Sequence, residues 1–409
     1  MPTNPRNTSL IAIPGVAPLL AAVALGVSSF SILLPLSPSW AIRAGSNEAS
    51  AGAVTAVLMG FTILTQFIVN RALKRYGWGL VLIVGLLALG APATLQATSF
   101  GLPAILASSA LRGIGFGILT VGGATAIALL VPLERRGAAV GAYGLAVAVP
   151  QLLLVSSAPV LDQVFGKVAM TILATLPLVG LLWVRPLGAL LDKQTTPSEK
   201  PGSNQGAASP STLILIAPVL LSLLVVTSSG GAMLTFARQI TDEASQATIV
   251  LLCLTGCATP TRWAFGTLSD RYKALHLIGG LSLVCCLGMA AVSASILGAN
   301  SMALLYVGSV LLGIAYGGLQ SATLVCAFKL GGTQRLAPVS VLWNVTFDLG
   351  TGLGSMLTGL IAAEMGFPTA FGLLAFAAVV CSGCALWSLR QRLRQHRYAS
   401  PTPHTHPGH

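Results

Sequence analysis

Two short glycine-rich stretches decide the fold of this chain. The first is Arg112-Gly-Ile-Gly-Phe-Gly117, and the second is Gly313-Ile-Ala-Tyr-Gly317. Their shared Gly-Ile dipeptides begin at Gly113 and Gly313, which lie 200 positions apart. A fixed offset of this size indicates two copies of one structural unit within the chain.

Two further pairs of stretches keep nearly the same offset. Arg75-Tyr76 matches Arg271-Tyr272, which lies 196 residues later. Arg136-Gly-Ala-Ala-Val140 matches Arg335-Leu-Ala-Pro-Val339, which lies 199 residues later. Parallel repeats related by an axis along the membrane normal are typical of one large class of secondary transporters. The offset therefore favours transport over chemistry on a substrate.

The composition indicates a membrane protein. The mean hydropathy is +0.84, and 8% of the residues are charged, whereas about a quarter are charged in soluble domains. The net charge of +12 is compatible with nucleic-acid binding, but the Lys and Arg residues lie between hydrophobic runs and form no single basic face. We therefore expect no nucleic-acid partner. No Ala-x-Ala cleavage site follows Met1–Thr8, so we expect the first apolar run to be retained as a helix.

The hydrophobic runs predict an all-α polytopic membrane protein with twelve transmembrane helices in two six-helix bundles. Each stretch has about the 20 apolar residues that a span needs. The twelve stretches are 14–36, 50–70, 79–98, 102–131, 137–160, 167–184, 211–236, 246–265, 276–297, 302–328, 337–363 and 368–389. The predicted domains are a first bundle (1–190), a polar cytoplasmic linker (191–211), a second bundle (212–390) and a basic, His-containing cytoplasmic tail (391–409).

The distribution of positive charge predicts the orientation. Of the 22 Lys and Arg residues, 18 lie on the side of the termini under this topology. Arg43, Lys167 and Arg238 lie on the opposite side, and Arg112 lies within a span. Because positive residues stay cytoplasmic, we expect a multi-pass protein of the bacterial inner membrane with both termini in the cytoplasm.

One loop of the second half carries a recognisable motif. Gly266-Thr-Leu-Ser-Asp270-Arg271-Tyr272 fits the Gly-x-Leu-x-Asp-Arg loop of the major facilitator superfamily, and the chain resembles that superfamily over nearly its whole length. Family members use the Asp as a conformational latch. The resemblance therefore implies that Gly266, Asp270 and Arg271 form a gate loop.

The equivalent loop of the first half departs from this motif. In Asn70-Arg-Ala-Leu-Lys74-Arg75-Tyr-Gly77, Arg75 and Gly77 are kept, but Lys74 occupies the acidic position. The resemblance extends a gate role to Arg75 and Gly77. Two further stretches, Leu34-Pro35-Leu-Ser-Pro38 and Trp343 to Gly354, look most like the sugar- and drug-efflux branches.

Only two ionisable residues lie deep in the predicted spans. Arg112 is ten residues past Leu102 and Asp348 is eleven past Ala337, which places each about 15 Å into a core about 30 Å thick. At similar depth, the two side chains can form an ion pair. One interpretation is a static structural pair, or an Arg112 side chain whose hydrogen bonds are made by helix carbonyls. The other is proton coupling, with Asp348 as proton carrier and Arg112 as the group that biases its protonation.

Several polar and aromatic residues in mid-span are candidates for a substrate cavity. Asn344 precedes Asp348 by four residues, and Tyr316 precedes Gln320 by four, so each pair shares a helix face. The alternative interpretation is that each makes an ordinary helix–helix contact. The candidates are Tyr143, Gln151, Tyr316, Gln320, Trp343 and Asn344.

The sequence predicts no catalytic residues, no cofactor and no metal site. The glycines of 113–117 follow no strand and lack a Gly-Lys-Ser ending, so they do not predict a phosphate loop. The tail histidines His404, His406 and His409 are not expected to form a metal site.

We therefore predict a secondary active transporter rather than an enzyme. The preferred function is proton-coupled export of a small amphipathic organic compound by a monomer in the lipid bilayer. One alternative is uptake of a small anionic metabolite bound by Arg112, and another is a membrane-embedded sensor or enzyme. The identity of the substrate, the direction, the coupling ion and its stoichiometry stay open.

Overall fold

The computed structural model describes residues 9–97, 101–195, 210–271, 274–299, 301–332 and 336–398. The described residues form helices and no strands. The tail histidines and most of the predicted linker lie outside these ranges. The long helices are α1 (Val16–Arg43), α2 (Glu48–Gly90), α3 (Gly101–Leu130), α4 (Arg136–Pro150), α5 (Ser156–Leu173), α6 (Leu181–Gln194), α7 (Pro210–Phe236), α8 (Ala244–Arg271), α9 (Ala274–Ala294), α10 (Met302–Gly331) and α11 (Leu336–Tyr398).

Among the described residues, nine helical stretches are long and apolar enough to cross a membrane. Three of them are broken at a single glycine, namely Gly77, Gly166 and Gly366. At these positions φ is 79–82° and ψ is 160–167°, a region that essentially only glycine adopts. Dividing the nine stretches at the three breaks gives twelve segments. The count of twelve stays a prediction.

Glycine packing is the same at two places 200 residues apart. A Cβ atom on Gly113 would lie 2.3 Å from the carbonyl oxygen of Leu58, and one on Gly313 would lie 2.4 Å from that of Leu254. The backbones of α3 and α2 therefore touch where glycine permits it, as do those of α10 and α8.

The same contact recurs one helical turn further on. A Cβ atom on Gly117 would lie 2.8 Å from the oxygen of Thr62, and one on Gly317 would lie 2.0 Å from that of Ala258. The carbonyl partners are 196 residues apart in both cases. Two copies of one unit would make such paired contacts, and this supports the predicted repeat.

The outer surface of the helices is strongly apolar. Leu182 is 81% exposed, and Trp263 and Leu297 are each 76% exposed. Soluble proteins rarely expose contiguous apolar surface on this scale. Together with the nine apolar helices, this surface is that of a multi-pass membrane protein.

The N-terminal half, up to Gln194, and the C-terminal half, from Pro210, meet where α2 packs against α11, α5 against α8 and α1 against α7. A Cβ atom on Gly52 would lie 2.4 Å from the oxygen of Ser355, and one on Gly359 would lie 2.3 Å from that of Glu48. The halves are therefore in close contact near the helix ends that carry Arg43 and Glu48, which we call the Arg43 end.

One side of α4 has open space beside it. A Cβ atom on Gly137, Gly141 or Gly144 of α4 would meet nothing within 4 Å. Arg262 of α8 is also exposed.

Candidate functional site

A small cavity lies between the two halves, near the middle of the helices. Its volume is about 80 Å³. We call it the central cavity. It is lined by Phe30, Leu34, Met59, Phe116, Gln151, Val155, Leu234, Leu254, Thr255, Arg262, Tyr316, Phe347, Asp348 and Thr351.

Asp348 is the acidic residue of the central cavity. It lies on α11 and is 6% exposed. Its Oδ2 accepts a hydrogen bond of 2.7 Å from Nε2 of Gln66 on α2. The bond joins the two halves, because α2 belongs to the first and α11 to the second. Sequence analysis did not find Gln66, although a glutamine within an apolar span is itself a signal.

Arg262 is the basic residue of the central cavity. Its Nη2 donates a hydrogen bond to Oε1 of Gln320 on α10. The side chain is accessible to solvent, whereas Gln320 is 3% exposed. Arg262 was counted among the loop residues in the sequence, because it lies near the end of its predicted span. The structure instead places a cation and a carboxylate on one cavity.

Aromatic rings form much of the remaining wall. Phe30 and Phe116 are stacked, with ring centroids 4.0 Å apart and planes at 6°. Tyr316 lies 200 positions after Phe116, and its ring occupies space left by Gly230, where a Cβ atom would lie 2.2 Å from Cε2. The cavity thus combines apolar faces with a few polar groups, which is typical of small-molecule sites.

Arg112 lies apart from the central cavity. It is 1% exposed, and its Nη2 donates to the backbone oxygen of Ser29 on α1 at 3.1 Å. Its Nε and Nη1 have no partner among the described residues. Among the described residues Arg112 and Asp348 form no ion pair, and α11 packs mainly against α7, α2 and α9. Gln66 occupies the position of the expected partner.

The other predicted cavity residues divide into two groups. Gln151 and Tyr316 line the central cavity, with Gln151 in a short π-helical turn that continues α4. Tyr143 donates to the oxygen of Thr120, Trp343 donates to Thr323, and Asn344 donates to the oxygen of Ser340. These last three therefore make local contacts in this conformation.

The gate loop of the N-terminal half has an acidic partner that the sequence did not reveal. The break at Gly77 is followed by Trp78, whose backbone N–H donates to Oδ1 of Asp192 at 2.9 Å. Asp192 comes from the end of α6. A carboxylate therefore reaches this loop in space, although Lys74 occupies the acidic position of the motif.

The gate loop of the C-terminal half is described only in part. Gly266 lies near Ser321, whose Oγ would be 3.9 Å from an added Cβ atom. Asp270 and Arg271 end α8, and their side chains lie outside the described part of the chain.

A second acidic residue, Asp162, is buried at the Arg43 end. It is 7% exposed and accepts hydrogen bonds from Nε1 of Trp40 at 3.0 Å and from Arg43. The ammonium group of Lys167 lies 5.5 Å from the centroid of the Trp40 ring. Sequence analysis missed this cluster, because Asp162 falls just outside a predicted span.

Comparison with known proteins agrees with the all-helical fold and the apolar helices. The sequence profile of the Major Facilitator Superfamily matches residues 19–337 and 282–407. The chain belongs to the Major Facilitator Superfamily. No curated protein sequence matches it. Family membership makes it a transporter that carries a small molecule.

Solved structures of other superfamily members share the fold. An inward-facing, unoccupied bacterial homologue of the human lysosomal transporter Spinster has a TM-score of 0.71 at 14% identity, covering 95% of this chain and 98% of that chain. The nucleoside transporter NupG has a TM-score of 0.73 at 12% identity, covering 92% of this chain and 99% of that chain. At such identities the likeness concerns the fold alone.

Proposed function

We propose that this superfamily member exports a small amphipathic organic compound in exchange for protons, with Asp348 as the proton carrier. The observation that carries the proposal is the placement of Asp348. Its carboxylate is buried in the central cavity and holds one hydrogen bond that spans the two halves of the molecule.

Proton transfer at this position is coupled to the contact between the halves. A charge near the middle of a bilayer costs about 2.5–3.5 kcal/mol on insertion scales, so protonation removes a substantial penalty. A hydrogen bond to a charged acceptor is roughly twice as strong as a neutral one. Protonation of Asp348 therefore weakens its bond to Gln66, and the packing of α2 on α11 becomes easier to open.

The lining of the central cavity favours an amphipathic substrate. The aromatic faces of Phe30, Phe116 and Phe347 offer apolar contact, while Arg262 and Asp348 offer one group of each sign. The volume of about 80 Å³ is well below the roughly 300–1,000 Å³ of small-molecule sites. Substrate binding therefore requires the halves to move apart, as alternating access does.

A second candidate function is uptake of a small anionic metabolite. The observation that favours it is Arg262, whose guanidinium is accessible within the cavity and, among the described residues, has an amide oxygen as its hydrogen-bond partner. Arg262 replaces Arg112 as the anion-binding residue of this candidate, because Arg112 does not line the cavity.

The proposed topology has twelve spans in two six-helix bundles, with both termini in the cytoplasm of a bacterial cell. Cysteine labelling tests it. Lys200→Cys and Arg394→Cys are expected to react only from the cytoplasmic side, and Arg43→Cys only from the outside. Reaction of Arg43→Cys from the cytoplasm would reverse the orientation.

The decisive test is transport in proteoliposomes with an imposed pH gradient, screened against a panel of compounds. The wild type is expected to take up label into acid-inside vesicles and to release internal protons. Asp348→Asn, which mimics the protonated state, is expected to exchange substrate but to lose uphill accumulation and the pH dependence of binding. Glu364→Gln is the matched control, since it makes the same chemical change on α11, 16 residues and about 24 Å away.

Each outcome decides between interpretations. Uphill transport by Asp348→Asn at the wild-type rate would make Asp348 a structural residue and end the proton proposal. Loss of uphill transport in Glu364→Gln as well would show that the effect is not specific to the cavity. Accumulation only of anions, abolished by Arg262→Gln, would favour the second candidate.

A further inference from the structure

A long apolar groove lies on the membrane-facing side of the N-terminal half, separate from the central cavity. Its volume is about 550 Å³. It runs between α2 and α3, and its lining includes Phe61, Leu64, Ile68, Tyr76 and Ile118. Leu64, Ile68 and Tyr76 are each more than half exposed. The groove is therefore an open, apolar channel on the protein surface.

The groove is long enough to cross one leaflet of a bilayer. Phe61 and Tyr76 are 15 residues apart on α2, which corresponds to about 22 Å at 1.5 Å per residue. One leaflet of the hydrocarbon core is about 15 Å thick. A single acyl chain can therefore lie along the groove from its inner end to its mouth.

The mouth of the groove is basic. Arg71, Lys74 and Arg75 are exposed on the last turns of α2 before the break at Gly77. The guanidinium carbon of Arg75 lies 5.4 Å from the centroid of the Tyr76 ring, and Tyr76 itself lines the groove. The carboxylate of Asp192 contacts this segment by accepting a hydrogen bond from the Trp78 amide.

The corresponding segment of the C-terminal half has a different charge. The positions 196 residues later hold Thr267, Asp270 and Arg271 in place of Arg71, Lys74 and Arg75. Their formal charge is zero, against +3 in the first half. The excess of positive charge is thus a property of the groove side and not of the repeated loop in general.

We propose that the groove binds one anionic phospholipid, with an acyl chain along α2 and the phosphate on Arg71, Lys74 and Arg75. The groove supplies apolar contact over the length of the chain, and the three cations supply charge complementarity at the level of the headgroup. Cations near an anionic membrane surface each contribute about 1 kcal/mol, which is about a fivefold change in affinity. The occupant is a lipid of the leaflet on the side of Arg75.

Native mass spectrometry of the purified full chain tests the proposal. Phosphatidylglycerol and phosphatidylcholine with identical acyl chains are added separately. The wild type is expected to bind one phosphatidylglycerol in preference to phosphatidylcholine. The double variant Arg71→Gln/Lys74→Gln is expected to lose about 25-fold in affinity for phosphatidylglycerol, about fivefold for each cation.

Two controls separate the groove from general charge and from general apolar surface. Arg136→Gln/Arg185→Gln removes the same charge from exposed residues outside the groove and is expected to keep the preference. Ala72→Phe fills the groove and is expected to weaken both lipids equally. Ala107 is exposed on α3, seven residues or about two turns before Ile114. Ala107→Phe is expected to leave the binding of both lipids unchanged.

Three results would overturn the proposal. One is equal binding of the two lipids by the wild type. Another is an equal loss of preference in both double variants, which would make the attraction nonspecific. The last is unchanged binding by Ala72→Phe, which would place the acyl chain elsewhere.

Discussion

The N-terminal and C-terminal halves pack their helices alike but bury different charges. Gly113 and Gly313 each rest on a backbone carbonyl at nearly the same distance. In contrast, Leu312 stands 200 positions after Arg112, and Ala148 stands 200 positions before Asp348. Close packing is thus a shared requirement of both halves. In contrast, Arg112 and Asp348 each have no charged counterpart at the equivalent position of the other half.

A third pair of positions shows how the difference arises. Gln66 and Arg262 are 196 residues apart, and both are polar residues at the central interface. Gln66 donates to Asp348, and Arg262 donates to Gln320. Both halves therefore have a polar residue at this repeated position, but the residue is neutral in the first half and positively charged in the second. The asymmetry between the halves concerns side chains and leaves the contacts of the backbone alike.

The strongest test of this difference in buried charge is to exchange the residues at positions 112 and 312. Leu312→Arg introduces a cation into a fully buried apolar site, and we expect the free energy of unfolding to fall by about 3 kcal/mol. Arg112→Leu removes a buried cation that has a single hydrogen bond among the described residues, and we expect stability to stay within about 1 kcal/mol. Transport should be lost, because the sequence predicts that Arg112 biases the protonation of Asp348. Thermal unfolding and proteoliposome transport measure the two effects.

The result for Arg112→Leu separates a functional residue from a structural one. Wild-type transport in this variant would leave Arg112 without a role in coupling. A loss of several kcal/mol in stability would instead show that the cation holds α1 and α3 together. A stable Leu312→Arg protein would mean that both halves tolerate the charge, and the contrast between them would disappear.

A comparable loss of stability is expected where the two halves are alike. Gly317→Ala places a Cβ atom 2.0 Å from a carbonyl oxygen, and Gly117→Ala places one at 2.8 Å. We expect losses in the free energy of unfolding of about 3 kcal/mol and about 1 kcal/mol, since forced overpacking costs roughly 1–3 kcal/mol. Gly141→Ala, which meets nothing within 4 Å, is the control and should leave the unfolding temperature unchanged. Equal losses at 117 and 317 would show that the tighter contact relaxes freely.

The smallest effects on ligand binding are expected at the gate loops. Asp270→Asn should slow the transport cycle and leave the dissociation constant of the substrate unchanged, because the loop lies about 15 Å from mid-membrane. Lys74→Asp, which gives the first loop the acidic residue of the second, should not abolish transport. Equilibrium binding and transport rates on the same preparations provide the measurement. A severe binding defect in Asp270→Asn would contradict the separation of gate and site.

Much of the architecture could be predicted from the sequence. Apolar runs and glycine spacing are local signals, and Gly113 and Gly313 lie where the 200-residue offset predicts close packing. The burial of Arg112 and Asp348 also followed from their positions within apolar runs. Family membership agrees with the resemblance seen in the loops.

The partners of the buried groups could not be predicted in the same way. Whether Asp348 meets Arg112 or Gln66 depends on which helices are neighbours, and no local pattern encodes that. Asp162 was missed because its partners Trp40 and Arg43 are more than 100 residues away in sequence. Arg262 was missed because a residue near the end of a span can belong to a loop or to a cavity. Gln66 is also polar and lies 196 residues before Arg262. The recurrence of a polar residue at this offset is the signal that could have predicted both Gln66 and Arg262 as cavity residues.

The breaks at Gly77, Gly166 and Gly366 have a practical consequence for handling the protein. In each case the helix is interrupted at a single residue, so these connections offer a protease no extended segment to bind. An epitope tag or a fluorescent domain inserted there would have to unwind the adjoining helices. Any residue other than glycine at these three positions would add a side chain that is strained at the observed φ and ψ angles. Reporter groups for this transporter therefore belong elsewhere in the chain.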